Sequence, residues 1–152
     1  MAGLGSTDRA ILELLQQNGR LTNAEIALRI NLSAPACWKR LRRLEEEVIE
    51  GYYASLKRTA LGFNVLAFIS VTLSSHSAEA ALKFEKDVGD FKNVLACHNL
   101  SGKYDYLLQV VAADMEEFHA IVMHRIQSSG NIKMMHTGFS LREIKRSTRL
   151  PI

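Results

Sequence analysis

The 152-residue chain is 47% hydrophobic and 23% charged, a balance typical of a globular protein that can bury a core, in one domain or two small ones. No apolar stretch is long enough to span a bilayer, and residues 1–6 lack the charged start and apolar core of a signal peptide, so the expectation is a cytoplasmic protein with no membrane partner. Cys37 and Cys97 lie far apart in unrelated contexts and read as small buried hydrophobes rather than a disulfide. The net charge of +3 and pI near 9.0 suit an anionic partner. The distribution of charge says more. Between Glu25 and Glu45 there is no acid, while Arg29, Lys39, Arg40, Arg42 and Arg43 fall inside that window.

Three helices are predicted first. One covers about 7–18, with Ile11, Leu14 and Leu15 at helical spacing and Gly19 as a stop. The second opens on Thr22-Asn23-Ala24-Glu25, a capping box. The third opens at Ser33, an N-cap residue, with Pro35 in the first turn where a missing N–H costs little. Only Asn31-Leu32 separates helices two and three. So short a turn makes them cross steeply, the helix-turn-helix geometry, and Asn31 tolerates the left-handed conformation it needs.

On the third helix Cys37, Leu41, Leu44 and Val48 form the inward stripe, with Lys39, Arg42 and Arg43 opposite and Arg40 on the flank. Ser33, Ala34, Pro35, Ala36, Trp38 and Lys39 lie toward the N-terminal end, which usually meets base edges, and the arginines suit phosphates. A lone basic run is most often a solvated face. Joined to a capped three-helix unit with a tight turn, it reads as a DNA-facing one, so that Arg43→Ala would weaken binding to all DNA. Trp38 either stacks on a sugar or base or covers the edge of the core. Residues 49–56 look like a strand after Gly51, and 57–64 like an exposed hinge. The expected domains are 1–58, a helix-turn-helix (winged-helix-like) unit with a linker strand, and 59–152.

The second domain changes pattern. Strands are predicted at 65–73, 93–100 and 104–111, helices at 77–88 and from Asp114, itself a capping box with Glu117, and a last strand at 132–144 after Gly130. The order βαββαβ is the ferredoxin-like split unit, giving an α+β chain overall. Strand 104–111 is apolar on both faces: Tyr106, Leu108 and Val110 on one, Leu107 and Val111 on the other. Helices cover one face only, so the other calls for a partner, most simply in a two-fold homodimer.

Catalysis finds no support. The histidines His76, His98, His119, His124 and His136 build no HExxH, and P-loop and Gly-x-Ser-x-Gly patterns are absent. His98 reads as packed on a buried strand. No catalytic or metal site and no cofactor is expected.

The segments "TDRAILELLQQNGRLTNAEIALRINLS", "RLRRLEEEVIEGYYASL", "ACHNLSGKYDYLLQV" and "STRLPI", in this order and spacing, resemble the Lrp/AsnC family of transcription regulators, nearest to its leucine-responsive branch. The resemblance implies an N-terminal helix-turn-helix, a C-terminal ferredoxin-like regulatory module, dimers that assemble into octamers, and a free amino acid bound near the hairpin loop. That loop corresponds to Ser101, Gly102, Lys103, Tyr104, Asp105 and Tyr106, closed by the last strand of a neighbour around Met134, Met135, His136 and Thr137. The chain departs from the pattern at Asn31, where glycine is more usual, and at Lys103, where the leucine-responsive branch has an acid.

Turn geometry alone explains Gly102. The chemistry also suits an amino acid: amides beside the glycine for its carboxylate, Asp105 or backbone carbonyls for its ammonium, and apolar walls for its side chain. With the resemblance, the reading is a socket that is also a turn. The expected function is a sequence-specific DNA-binding transcription regulator, working on double-stranded DNA, that responds to an apolar amino acid such as leucine or methionine. The rival is an amino-acid-binding oligomer whose N-terminal domain docks a protein instead.

Overall fold

The computed structural model describes residues 3–129 and 131–152. Gly130, expected to precede the last strand, and the first two residues of the signal-peptide reading lie outside the described residues. The fold divides into two units, Met1–Ser55 with Lys145–Ile152, and Leu56–Ile144. The tail, residues 145–152, packs with the first unit.

In the first unit α1 spans Ser6–Gln17, α2 Asn23–Arg29 and α3 Ala34–Glu47. Ile11, Ile26, Cys37 and Leu44 are sealed in its core. The capping box closes as expected: the Glu25 carboxylate accepts from the Thr22 N–H at 2.7 Å, and Thr22 Oγ1 accepts from the Glu25 N–H at 3.3 Å. Asn31 has φ 54°. The Leu32 N–H donates to the Ala27 carbonyl at 2.9 Å and the Asn31 N–H to that of Leu28 at 3.5 Å. This is the Schellman ending, which leaves the residue at C′ left-handed. Ser33 caps α3, accepting from the Ala36 N–H at 3.4 Å.

Two expectations in this unit are corrected. Val48 is exposed, because α3 has ended at Glu47, and Ile49 packs against the core in its place. Residues 49–56 form no strand. A strand is defined by its partner, and none lies beside this segment among the described residues. Instead Tyr53 folds over the backbone of Gly51, where an added Cβ would stand 2.5 Å from the phenol oxygen. The tail returns to α1: Gln16 accepts from the Leu150 N–H at 2.6 Å and donates to its carbonyl at 3.1 Å.

The second unit contains β1 Val65–Leu73, α4 Ala78–Gly89, β2 Val94–Asn99, β3 Tyr106–Ala112, α5 Met115–Ile121 and β4 Ile132–Phe139. The sheet order is β2-β3-β1-β4 with every pairing antiparallel, the expected ferredoxin-like βαββαβ fold. Phe84 and Val88 of α4 and Phe118 and Ile121 of α5 pack on Ile69, Val71, Leu108 and Val110. Asp114 caps α5, but Glu117 reaches the Ala113 N–H rather than that of Asp114, so the box is only half closed. A π-turn over Val122–Ile126 continues the helix and still buries Ile126.

The last strand stops at Phe139, opposite Ala67 near the start of β1, rather than continuing to 144. β2 is an edge strand, so Cys97 and His98 are exposed rather than buried. On the face away from the helices, register aligns His98, Leu107, Ser70 and His136 in one row and Ala96, Gln109, Phe68 and Gly138 in the next.

Asn31→Ala should lower stability to urea by about 1 kcal/mol, the cost of left-handed backbone for a residue with Cβ, whereas Asn31→Gly should match or exceed the native chain. Equal loss in both variants would show that the Asn31 side chain, not its backbone, closes the turn.

Candidate functional site

Six residues at the start of α3 and its cap, Ser33, Ala34, Pro35, Ala36, Trp38 and Lys39, are all exposed. Three of them are small, so an approaching surface could come close to the backbone. Trp38 is 56% exposed and does not cover the core edge. Arg42 stacks on its ring, 5.7 Å from the centroid, and lies 3.6 Å from Glu45. Such exposed contacts are worth a few tenths of a kcal/mol to about 1, so Arg42 can be drawn away cheaply. Lys39 makes no ion pair among the described residues.

Arg40 and Arg43 behave differently. Arg40 donates to Asp8 Oδ1 at 3.1 Å and Arg43 to Asp8 Oδ2 at 2.5 Å. The Asp8 side chain is only 3% exposed, those of the arginines 44% and 45%. Burial pushes the Asp8 carboxyl up, but the guanidinium hydrogen bonds and charges outweigh it and hold the group below its ordinary value. Periodicity placed Arg43 on the outward face, yet its side chain bends back to α1. Sequence reasoning missed Asp8, and its only signal was an acid early in a helix otherwise read for its apolar stripe.

In the second unit the hairpin between β2 and β3 is closed by the Leu100 N–H donating to the Asp105 carbonyl at 2.8 Å. Gly102 has φ 145°, a conformation that L side chains avoid. Ser101, Gly102 and Lys103 are exposed, and their backbone N–H groups have no hydrogen-bond partner among the described residues. The Lys103 ammonium lies 5.2 Å from the Tyr104 ring centroid, and Tyr104 meets His136 edge to face at 5.4 Å. Asp105 ties the hairpin to β1: its N–H donates to the Val71 carbonyl at 2.9 Å, and its Oδ2 accepts from the Leu73 N–H at 2.7 Å. Oδ1 faces His76 Nδ1 at 3.6 Å, too far for a hydrogen bond.

Within one chain these residues do not all face the hairpin, those of the last strand being expected from a neighbouring copy. Tyr106 is buried on the helix side, its ring 4.8 Å from Phe84 and its hydroxyl donating to Glu85 at 2.8 Å. Burial and the Glu85 carboxylate push that phenol up to about 12. On β4, register pairs Met135 with Val71 and Thr137 with Ile69, on the helix side, whereas His136 and Met134 pair with Ser70 and Thr72 on the opposite face. Thr72 was not anticipated. Its Oγ1 is buried and has no hydrogen-bond partner among the described residues, and its neighbours Val71 and Leu73 are both bonded to Asp105.

Residues 4–47 match a winged helix-turn-helix DNA-binding family and residues 66–150 the Lrp/AsnC ligand binding domain. The chain belongs to the Lrp/AsnC family. It is 37% identical over 151 residues to the leucine-responsive regulatory protein of Rhizobium meliloti (strain 1021), covering 98% of this chain and 96% of that one. It is 33% identical to the DNA-binding transcriptional activator DecR of Escherichia coli (strain K12), covering 98% and 99%. Its fold matches a transcriptional regulator from Neisseria meningitidis in complex with L-Met with a TM-score of 0.93 at 37% identity, over 98% and 97% of the two chains.

As a member of the Lrp/AsnC family it is a DNA-binding transcriptional regulator with a ligand-binding domain, not an enzyme, and its partners are DNA and a small ligand. The protein-docking alternative for the first unit is set aside. No helix among the described residues is long and apolar enough to cross a membrane.

The ion triad makes part of the stability pH-dependent. Because the folded pKa of Asp8 is lowered, its contribution is present in full above the ordinary value near 3.8 and is lost as pH falls through the lowered one. Asp8→Asn should cost about 1.5–3 kcal/mol at neutral pH, the worth of hydrogen bonds to a charged group. In urea titrations at stepped pH the gap from the native chain should narrow below pH 3.8. A gap that stayed constant down to pH 2 or so would show that the carboxylate's charge is not what matters.

Proposed function

We propose that this cytoplasmic regulator reads operator DNA with the start of α3 and senses a free apolar amino acid, such as leucine or methionine, at the β2–β3 hairpin. Ser33, Ala34, Pro35, Ala36 and Trp38 face the bases, and Lys39 and Arg42 meet phosphates. The effector carboxylate is received by the unpaired N–H groups of Ser101, Gly102 and Lys103, its ammonium by Asp105 Oδ1, and its side chain by apolar surface near Tyr104 and Met134. Thr72 and His136 complete the polar lining. The observation that carries this reading is the division of labour at Asp105: Oδ2 is fixed to the backbone of β1, while Oδ1 is left to a histidine beyond bonding distance. The L-Met complex of the Neisseria relative supports an amino acid as the effector.

The sheet face bearing Phe68 and Leu107, beside Leu66 and Val111 that are already buried within the chain, is the surface on which a second copy docks, giving a homodimer whose copies place two α3 helices on paired half-sites and assemble further into an octamer. The effector acts by binding one arrangement of copies better than another.

A thermal-unfolding screen against the twenty amino acids should show one or a few apolar ones stabilising the protein, by about 2.7 kcal/mol at a hundred times the dissociation constant. Asp105→Asn keeps an oxygen for the Leu73 N–H but turns an amide donor toward the ammonium, and should weaken that effect at least ten-fold while the fold survives. If no amino acid stabilises the native chain, the hairpin is a turn and not a socket. Separately, Lys39→Gln should lower the slope of log affinity against log salt on duplex DNA by about 0.9, the loss of one phosphate contact.

A further inference from the structure

Asp8 is the buried charged residue among those described, and nothing in amino-acid sensing or base reading employs it. It sits on α1, yet it binds two of the five basic residues in the acid-free window. We propose that Asp8 is a specificity-determining positioning residue: by holding Arg40 and Arg43 against α1, it withholds two cations of the recognition helix from DNA phosphates and so suppresses sequence-independent binding. This rests on the reading that α3 faces DNA.

The argument is one of competing partners. A phosphate is an equally good acceptor for a guanidinium, and both arginines are near half exposed, so accessibility alone would count them as DNA contacts. Each, however, satisfies a different oxygen of a carboxylate that solvent barely reaches. An arginine that leaves for a phosphate strands a charged oxygen in the interior, a cost that an exposed partner such as Glu45 would not impose. Lys39 and Arg42 carry no such debt.

The consequence falls on specificity. Phosphate contacts release counterions whatever the sequence, and each adds about 0.9 to the salt slope. At about 0.15 M salt that is roughly a five-fold gain in affinity for any duplex. A regulator competes against an enormous excess of non-specific sites, so cations kept out of phosphate contact raise the ratio that matters. A merely structural Asp8 predicts the opposite sign: its loss would loosen α3 and weaken all DNA binding.

The test is full-length protein binding to a random-sequence duplex between about 50 and 200 mM salt, with folding checked by circular dichroism. Asp8→Asn should bind this duplex more tightly, with a slope steeper by about one to two, and adding Arg43→Gln to it should take back about half of the gain. In the native background Arg40→Gln and Arg43→Gln should each leave the slope unchanged. A folded Asp8→Asn with an unchanged or shallower slope overturns the proposal. Should Asp8→Asn fail to fold, the single arginine variants decide: a slope lower by about 0.9 in either means that the residue was touching phosphate all along. Lys39→Gln is the control. If it too leaves the slope unchanged, α3 is not the DNA face and the proposal falls with that reading. If it lowers the slope while Asp8→Asn changes nothing, only the withholding is wrong.

Discussion

A carboxylate that solvent barely reaches must be either neutral or matched by cations, and Asp8 is matched by two from the same helix. Arg40 and Arg43 are spaced so that both guanidinium groups can reach one carboxylate from a single helix face. That fixes the rotation of α3 about its own axis as well as its distance from α1. With the rotation set, Cys37 and Leu44 are buried while Ala34, Pro35, Ala36, Trp38 and Lys39 are exposed. A buried ion pair is weak evidence of stability, since apolar residues of equal volume often do as well. Its use here is definition: a greasy contact would tolerate a helix rolled by some tens of degrees, and a two-pronged ionic one does not.

The second unit is governed by a sheet that its own helices cover on one side. β3 is the central constraint, because its alternate residues Tyr106, Leu108 and Val110 fill the core, and its others, Leu107, Gln109 and Val111, line the opposite face. Pairing with β1 then dictates which residues of β4 appear on each face. His136 is on the open face because Ser70 is, and Met135 is in the core because Val71 is. The hairpin meets this open face through the Tyr104–His136 contact, so it touches a residue whose placement is set by the whole sheet.

Local signals survived into the structure. Thr22 and Ser33 announced two helix starts, and Asn31 announced the left-handed ending between them, because capping and turn chemistry act within four or five residues. The βαββαβ order was legible for a similar reason, its periodicity changing sharply from one element to the next. What was not legible depends on partners. Residues 49–56 have strand composition but no strand beside them among the described residues, and the last strand ends at Phe139, with only the Ser140 N–H still donating to the Leu66 carbonyl at 2.8 Å beyond it. β2 reads as buried, and its place at the sheet edge leaves Cys97 and His98 exposed. At the hairpin, Tyr104 and Tyr106 stand two apart and suggest a shared face. The strand begins only at Tyr106, so alternation does not bind Tyr104, and one ring meets His136 edge to face while the other enters the core. The Asp8 triad spans more than thirty residues of sequence, and no local pattern can announce it.

Two aspartates, one in each unit, differ in how their carboxylate oxygens are used. At Asp8 both oxygens are taken by cations and the side chain is 3% exposed, so any other partner must displace an existing one. At Asp105 one oxygen holds the Leu73 N–H at 2.7 Å, which fixes the group without using it up, and the side chain is 26% exposed. The second oxygen has His76 Nδ1 at 3.6 Å and no hydrogen bond among the described residues. A site for a zwitterion needs an anchored anion and nearby donors held apart from it, so that the two ends of the ligand are not exchanged. In the proposed socket Asp105 supplies the anion and the Ser101–Gly102–Lys103 turn the donors. At Asp8 the same side chain, fully paired, instead fixes α3 against α1.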